Sequence, residues 1–388
     1  MALGARRHGW RYATLDPDIV LTPSLVIAKG SLMSSATVTE SAREVLAQEG
    51  LRHVSDSSPG YTRKRRGKGF AYYDTHGDLM RDEKKLDRIR AIVVPPAWTD
   101  VWICPSPNGH IQATGLDGRG RKQYRYHERW REARDGNKFQ DILRFGAALP
   151  TIRNRVAEDL KRSALPREKV LAAVVKLLEV TLIRVGNAEY AKQNDSYGLT
   201  TLRKKHVDLH GSDIHFQFTG KSGKEWDLSV NDRRIVSVVR KCSELPGYEL
   251  FKYEDDDGTL KDVTSSDVNA YLHEITGEAF TAKDFRTWSG TVLAAMALDE
   301  LEKFDSEAQA KQNVVRAIEH VSQALGNTPT ICRKCYVHPQ ILDAYIDGTL
   351  AGVLRDEIEE TVQEEYPNLS AEEVMVLTFL RKRLEQAG

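Results

Sequence analysis

The separation of strand-like and helix-like patterns along the chain constrains the fold more than any other feature. Short β-type runs are concentrated in residues 61–150, where Gly- and Pro-rich turn signals separate them. These runs are residues 70–73, 92–94, 101–103 and 111–114. A helix is predicted to follow them over about 126–145. Strands grouped before helices, instead of alternating with them, predict an α+β fold and not a series of βαβ units.

Residues 151–388 show mainly helical periodicity. A helix over 170–183 is predicted because Leu171, Val174, Val175, Leu178 and Leu182 recur at core spacing. The alternating runs 214–218 and 226–230 predict one hairpin within this helical region, with glycines in its connection.

Helix starts are also encoded locally. Thr281 with Asp284 resembles a capping box and predicts a helix through Leu301. Thr328 followed by Pro329 predicts a second helix start, because proline is favoured in the first turn.

The predicted organisation has three parts. Residues 1–55 form an N-terminal tail with one short helix over 38–48, residues 56–150 form a small β-rich domain, and residues 151–388 form a larger helical domain. Net charge is zero over all 388 residues, yet residues 61–150 carry a net charge of +8 and residues 339–388 a net charge of −7. This asymmetry predicts a basic binding face and acidic C-terminal helices.

Composition narrows the class of protein. With 40% hydrophobic and 29% charged residues, the chain is typical of a soluble globular protein. It has no apolar run of membrane-spanning length and no apolar core of a secretory signal near Met1, so we expect a cytoplasmic protein with no membrane contact. Four scattered cysteines fit reduced thiols. A zinc or redox role for Cys332 and Cys335 is the alternative, but zinc lacks a second ligand pair and redox chemistry lacks a βαβ pattern.

Tyr336 is the candidate nucleophile. A tyrosine that attacks a phosphodiester needs cations around the phosphate and an acid for the leaving oxygen. Arg184 at the end of an apolar helix and Arg286 in the first turn of another are the candidate phosphate ligands. Lys221 on the hairpin tip is the candidate acid, and Lys224 is its rival.

Each of these residues also has an ordinary structural explanation. An arginine at a helix C-terminus pairs with the helix dipole, and lysines on hairpin tips increase solubility. Arg286 is less easily explained, because a cation near a helix N-terminus opposes the dipole. A local rule that is broken without structural gain is typical of functional sites.

Taken together, the motifs resemble the type IB DNA topoisomerases, and most of all their small poxvirus-like and bacterial members. The matching motifs in the helical region are residues 181–190, 198–206, 218–224, 283–288 and 326–336. In the β-rich region they are residues 94–98 and 115–126. The resemblance covers about residues 60–350, and it implies a C-shaped clamp around double-stranded DNA.

The resemblance also implies roles for individual residues. Tyr336 would form a 3′-phosphotyrosyl intermediate, Arg184 and Arg286 would stabilise the transition state, and Lys221 would protonate the 5′ leaving oxygen. Many family members have histidine where this chain has Asn327, which can donate a hydrogen bond but carries no charge. The resemblance implies that the protein relaxes supercoiled DNA without ATP, a metal or another cofactor. We expect the protein to be a monomer.

A second set of residues is predicted to contact DNA. The resemblance implies Lys122, Gln123 and Tyr124 from the first domain and Tyr190 from the second. Lys224 is included with them. The basic run that contains Arg63 and Lys64 predicts a phosphate track, or alternatively only a flexible entry arm.

Two other functions remain open at this stage. A tyrosine recombinase uses the same transesterification, but that family usually has His-x-x-Arg where this chain has Lys283 to Arg286. A non-catalytic DNA-binding protein is the other alternative, and its support is the asparagine at position 327.

Overall fold

A computed structural model describes residues 46–385 except 68, 119, 256, 302–303 and 351–365. Most of the predicted tail, including most of the predicted helix 38–48, lies outside these residues. Part of the predicted acidic C-terminal region also lies outside them.

The first part of the chain forms a five-stranded antiparallel sheet with strand order β2-β1-β3-β4-β5. Its strands are β1 (Tyr61–Arg66), β2 (Gly69–Tyr73), β3 (Thr99–Ile103), β4 (Ile111–Leu116) and β5 (Lys122–Tyr126). Helix α1 (Glu83–Ala91) lies between β2 and β3 in the chain and buries Ile89 against the sheet residues Tyr61, Val101 and Ile103. Three of the four predicted strand runs are therefore confirmed, at β2, β3 and β4.

The prediction of a strand over 92–94 is wrong. Ile92 caps α1, and its N–H donates to Ile89. Val93 then adopts a left-handed φ of 53° and is 65% exposed. The β-branched side chains of Ile92, Val93 and Val94 are typical of a strand, but the segment is the end of a helix followed by a turn.

The part of the basic run that contains Arg63 and Lys64 belongs to strand β1, so the alternative of a flexible arm is wrong there, and the phosphate track stays a prediction. The strand pairs with β2 on one side and with β3 on the other. Side chains alternate along a strand, so Tyr61 and Arg63 are buried whereas Lys64 is exposed.

The second part is mainly helical and carries two small sheets. Strands β6 (Val207–His210), β7 (Asp213–Thr219) and β8 (Glu225–Asn231) form one antiparallel sheet, and β9 (Lys252–Glu254) pairs with β10 (Leu260–Asp262). The helices are α2 (Glu128–Asp159), α3 (Arg167–Thr181), α4 (Ala188–Asn194), α5 (Arg233–Glu244), α6 (Ser265–Thr276), α7 (Ala282–Glu300), α8 (Glu307–Leu325), α9 (Pro329–Cys335), α10 (Pro339–Ile346) and α11 (Ala371–Glu385). The predicted α+β fold with a helical catalytic region is confirmed.

Several local predictions hold in this region. The hairpin β7–β8 pairs Phe216 with Leu228, and the five predicted core residues of α3 and its cap are all buried. The capping box of Thr281 and Asp284 is present at the start of α7. Helix α2 continues through position 150 without a break, and the division of the chain at 150/151 stays a prediction.

Three separate hydrophobic clusters follow from this arrangement among the described residues, the smallest of which consists of Leu46, Leu51 and Trp130. A small cluster lies between α1 and the five-stranded sheet, and a large one joins α2, α3, α7, α8 and the β7–β8 hairpin. None of the helices in the described ranges is long and apolar enough to cross a membrane. The large cluster supports the loops that carry the candidate site.

Candidate active site

Arg184 lies in a tightly held loop and not at a helix end. Helix α3 stops at Thr181, two residues earlier than predicted, because Leu182 adopts a left-handed φ of 56°. The Arg184 carbonyl accepts from Leu199 N–H at 2.9 Å. A Cβ at Gly198 would lie only 2.5 Å from that oxygen, so the loop requires glycine there. A left-handed leucine just before a functional arginine is the kind of strain that active sites contain.

Arg286 lies in the second turn of α7 and is only 3% exposed. Its two terminal nitrogens donate to the carbonyls of Leu182 and Leu325, the latter at 2.7 Å. Its Nε is buried and has no hydrogen-bond partner among the described residues. Burial, together with repulsion from Arg184, lowers the pKa of Arg286 to about 10. The guanidinium therefore joins the α3 loop to the end of α8 and keeps one donor unused.

Tyr336 caps the C-terminus of the short helix α9, which begins at the predicted Thr328 cap. Its main chain is seated against α7: a Cβ at Gly290 would lie 2.5 Å from the Tyr336 carbonyl oxygen. The Arg286 guanidinium carbon lies 5.2 Å from the centroid of the Tyr336 ring. The motif predicted from sequence therefore places tyrosine and arginine side by side.

Electrostatics at this site favour the phenolate form of Tyr336. Burial alone would raise the pKa of Tyr336, but the charges of Arg286 and Arg184 outweigh it, and the pKa falls below the usual 10.0. A half-buried tyrosine with a lowered pKa next to two arginines is suited to nucleophilic attack.

Asn327 completes the cluster. Its Oδ1 accepts a hydrogen bond from Arg184, and its buried Nδ2 has no partner among the described residues. Buried donors in folded proteins are nearly always paired, so the Nδ2 of Asn327 and the Nε of Arg286 are available to an acceptor that enters the site. A phosphate oxygen is an acceptor of this kind.

The two hairpin lysines differ in their surroundings. Lys221 lies in the turn between β7 and β8, with its Nζ 5.6 Å from the Tyr190 ring centroid. Lys224 donates to the carbonyl of Gln323 at 3.0 Å and lies over the Trp226 ring. Burial lowers the pKa of both ammonium groups below 10.5; repulsion by Arg184 is the next cause for Lys221, and repulsion by Arg286 is the next cause for Lys224.

Lys283 belongs to this electrostatic group and was not predicted as a site residue. Its charge contributes to lowering the pKa of both Tyr336 and Lys221. A usable signal was present, because Lys283 is three residues before Arg286 and such residues share one side of a helix.

In the first domain, the predicted DNA contacts lie along β5. Lys122 forms an ion pair with Asp56 at 2.5 Å, and Gln123 donates to Asp117 at 3.0 Å. The ring of Tyr124 stacks on that of Tyr126, which is 39% exposed. These polar and aromatic side chains all belong to β5, which is an edge strand of the five-stranded sheet.

The predicted DNA contact of Arg63 does not fit its position. Arg63 is 8% exposed, and its guanidinium donates to the carbonyls of Val94, Pro95 and Trp98 at 2.8–3.0 Å. It also lies 4.2 Å from the Phe70 ring centroid. These hydrogen bonds attach the segment after α1 to the sheet. Lys64 is exposed on the opposite face.

Cys332 and Cys335 near the site form no disulfide with another described residue, and Cys332 is fully buried. His338 follows Cys335 by three residues and could have joined the two cysteines in a zinc site, but it is 2% exposed and its Nδ1 accepts from the N–H of Gln340 as a helix cap. Its role at the start of α10 accounts for its position.

Comparisons with known proteins agree with this geometry. Residues 127–364 match the family described as the catalytic core of eukaryotic DNA topoisomerase I, and residues 69–117 match the N-terminal domain of bacterial DNA topoisomerase IB. DNA topoisomerase 1B of Acanthamoeba polyphaga mimivirus is 32% identical over 74% of this chain and 87% of its own length. DNA topoisomerase 1B of vaccinia virus is 22% identical over 74% of this chain and 90% of its own length.

Proposed function

The chain belongs to the type IB DNA topoisomerases, and we propose that Tyr336 is the residue with which it cleaves one strand of duplex DNA. The observation that carries the assignment is the convergence of Tyr336, Arg286, Arg184 and Asn327, with two buried donors still unpaired. These four residues come from three separate segments, which a purely structural cluster would not require.

In the proposed reaction, the Tyr336 phenol loses its proton and its oxygen attacks the scissile phosphorus. A tyrosyl–phosphorus bond forms as the bond from phosphorus to the 5′ oxygen breaks, which leaves a 3′-phosphotyrosyl linkage. Arg184, Arg286 and the amide of Asn327 stabilise the charge that builds on the non-bridging oxygens. After the DNA has rotated, the released 5′-hydroxyl returns its proton to Lys221 and attacks the same phosphorus, and the strand is resealed as the tyrosyl–phosphorus bond breaks and Tyr336 is released. Because the linkage conserves the bond energy, ATP is not needed, and because the two arginines neutralise the charge on the phosphate, a metal is not needed.

We assign the general acid to Lys221. It must reach the 5′ oxygen, and its ammonium is not held by any hydrogen bond described for it, whereas Lys224 donates to Gln323. A lowered pKa makes Lys221 a better proton donor near neutral pH. Lys224 is assigned to supporting the turn at Gly326, whose Cβ position its side chain occupies. A 5′-bridging phosphorothiolate substrate, whose thiolate leaves without protonation, should rescue Lys221→Ala and not Lys224→Ala.

DNA binding is assigned to both parts of the chain, which would close around the duplex as a C-shaped clamp. Lys122, Gln123 and Tyr124 on β5 and exposed Lys64 would contact it from the sheet, and Tyr190 from the helical region. The pairs that Lys122 and Gln123 form with Asp56 and Asp117 would have to open on binding. We propose a monomer acting on the nucleoid in the cytoplasm.

Relaxation of a supercoiled plasmid in EDTA without ATP tests the function. Wild-type protein should relax a plasmid that has no paired recombination sites, and Tyr336→Phe should bind the plasmid without relaxing it. Relaxation by Tyr336→Phe at the wild-type rate would disprove the assignment. A requirement for paired sites would instead indicate a recombinase.

A further inference from the structure

The C-terminal helix α11 packs on the helical region close to the candidate site. It starts after residue 364, where the match to the catalytic-core family ends. Its residue Glu373 is 5% exposed although it is an acid. A buried carboxylate is costly unless it is fully paired, so its partners show what the helix is attached to.

Glu373 accepts four hydrogen bonds from three different elements. The Arg153 guanidinium of α2 donates to both of its oxygens at 2.8 Å. The Trp288 indole Nε1 of α7 donates to Oε1 at 3.0 Å. The Ser370 N–H donates to Oε2 at 2.9 Å, within a reciprocal cap at the start of α11. Arg153 in turn donates to Glu179 of α3 at 2.6 Å, so one carboxylate connects α11 to α2, α3 and α7.

The contact with Trp288 bears directly on the site because α7 also carries Arg286. Residues 286 and 290 are four apart and share one side of the helix, whereas residue 288 lies on the opposite side. On the site side, Arg286 contacts the Tyr336 ring and Gly290 abuts the Tyr336 carbonyl. Trp288 is 2% exposed on the other side. Rotation of α7 about its axis would move both contacts with Tyr336. The hydrogen bonds of Arg286 to Leu182 and Leu325 oppose this rotation on the site side, and the indole N–H opposes it on the other side.

A second attachment joins α11 to the segment after Tyr336. Arg383 donates to the side chains of Gln340 and Thr349 at 3.3 and 3.2 Å and forms an ion pair with Asp347. Gln340 belongs to α10, which begins three residues after Tyr336. Helix α11 therefore holds the helix that carries Arg286 and the helix that follows Tyr336.

We propose that Glu373 is a positioning residue for strand cleavage, which acts through Trp288 to fix the orientation of Arg286 and Gly290 relative to Tyr336. The inference rests on the proposed roles of Tyr336 and Arg286. It predicts that loss of the indole N–H slows cleavage without weakening DNA binding, because the DNA-contacting residues keep their places.

Trp288→Phe is the sharpest variant, since it keeps an aromatic ring in the core while it removes the N–H donor together with the five-membered ring of the indole. We expect single-turnover cleavage to slow by about three- to tenfold, with the dissociation constant for uncleaved DNA unchanged. Glu373→Ala should slow cleavage more than Trp288→Phe does. The double variant should be little slower than Glu373→Ala alone, because both changes remove the same hydrogen bond between Trp288 and Glu373. Glu385→Gln, an exposed change on the same helix, is the matched control and should behave as wild type.

The pH profile separates positioning from general destabilisation. Arg286 lowers the pKa of Tyr336, so moving the arginine away should shift the rise of the cleavage rate to higher pH in Trp288→Phe and Glu373→Ala. Equal rates and equal pH profiles in wild type and both variants, measured well below their unfolding temperatures, would overturn the proposal. A fall in DNA affinity that matches the fall in cleavage would also overturn it. Failure of wild type itself to form a covalent adduct would overturn the Tyr336 assignment, a result distinguishable from the first two.

Discussion

The five-stranded sheet and the Tyr336 cluster each bury an arginine and an amide, but they use them differently. In the sheet, Arg63 donates to three carbonyls, and the Gln112 amide nitrogen donates to the carbonyls of Pro107 and Gly109 at 3.0 and 2.7 Å. In the cluster, the Arg286 Nε and the Asn327 Nδ2 are buried and unpaired. Burial of a polar group is shared by both regions, and so is an unpaired Nε, because that of Arg125 on β5 is also buried without a partner among the described residues. The cluster differs in having two such donors from separate segments beside a tyrosine whose pKa is lowered.

The largest expected effects come from replacing Arg286 and Arg63 with alanine, each in a separate variant. Arg286→Ala should slow single-turnover cleavage by about 100- to 1,000-fold, because it removes a charge that stabilises the transition state. Arg63→Ala should lower the free energy of unfolding by about 1–3 kcal/mol, since carbonyls lose their donors, with little change in cleavage by the folded protein. Denaturant unfolding and rapid-quench cleavage assays measure the two quantities. A large cleavage defect in Arg63→Ala alone would reverse the comparison.

Sequence patterns predicted the residues of the Tyr336 cluster better than they predicted the position of Arg63 in the sheet. Short-range signals, such as the Thr281 cap and the β7–β8 alternation, depend on a few adjacent residues, and the structure has both. Arg63 looked like a surface cation because its sequence neighbours are basic. Its burial depends on strand pairing with β3 and on carbonyls more than 30 residues away, which no local pattern contains.

The same limit applies to the contacts around Tyr336. The motifs indicated which residues would meet, but not that Gly290 provides the seat for the Tyr336 carbonyl or that Glu373 binds Trp288. These contacts join residues 46 and 85 positions apart. They follow from helix packing, and the sequence specifies that packing only through the whole core.

The next largest expected difference in cleavage rate is between alanine substitutions at one glycine in each region. Gly290→Ala should slow cleavage by about 10- to 100-fold, because its Cβ would meet the Tyr336 carbonyl at 2.5 Å and displace the nucleophile. Gly69→Ala is the matched change in the sheet, where an added Cβ would meet nothing within 4 Å. Rapid-quench cleavage should therefore separate the two variants. Wild-type cleavage by Gly290→Ala would show that Tyr336 tolerates displacement.

The two amides sharpen the comparison with a smaller effect. Asn327→Ala should slow cleavage by about tenfold, equivalent to about 1.4 kcal/mol, and should change stability little, because the one hydrogen bond described for its side chain is the one its Oδ1 accepts from Arg184. Gln112→Ala should do the opposite, since four protein hydrogen bonds to its side chain disappear. Thermal unfolding and cleavage rates on the same preparations decide the matter. A stability loss in Asn327→Ala equal to that in Gln112→Ala would argue that Asn327 is structural.

The smallest expected effect is on the pH dependence of cleavage. The rate should rise as Tyr336 loses its proton, over a range below the usual tyrosine pKa of 10.0, and should fall as Lys221 loses its own proton, below 10.5. Lys221→Arg should move the falling limb to higher pH, because a guanidinium keeps its proton. Arg63→Ala should leave both limbs in place. Rates measured across the pH range with one oligonucleotide duplex would reveal any departure.

The most direct measurement is the identity of the residue that becomes linked to DNA. Wild-type protein is trapped on a nicked suicide duplex in EDTA without ATP, digested with protease, and the DNA-linked peptide is sequenced by mass spectrometry. The account predicts a single adduct in which Tyr336 carries the 3′ phosphate and the other strand end is a free 5′-hydroxyl. A linkage to any other residue, or to a 5′ phosphate, would contradict it.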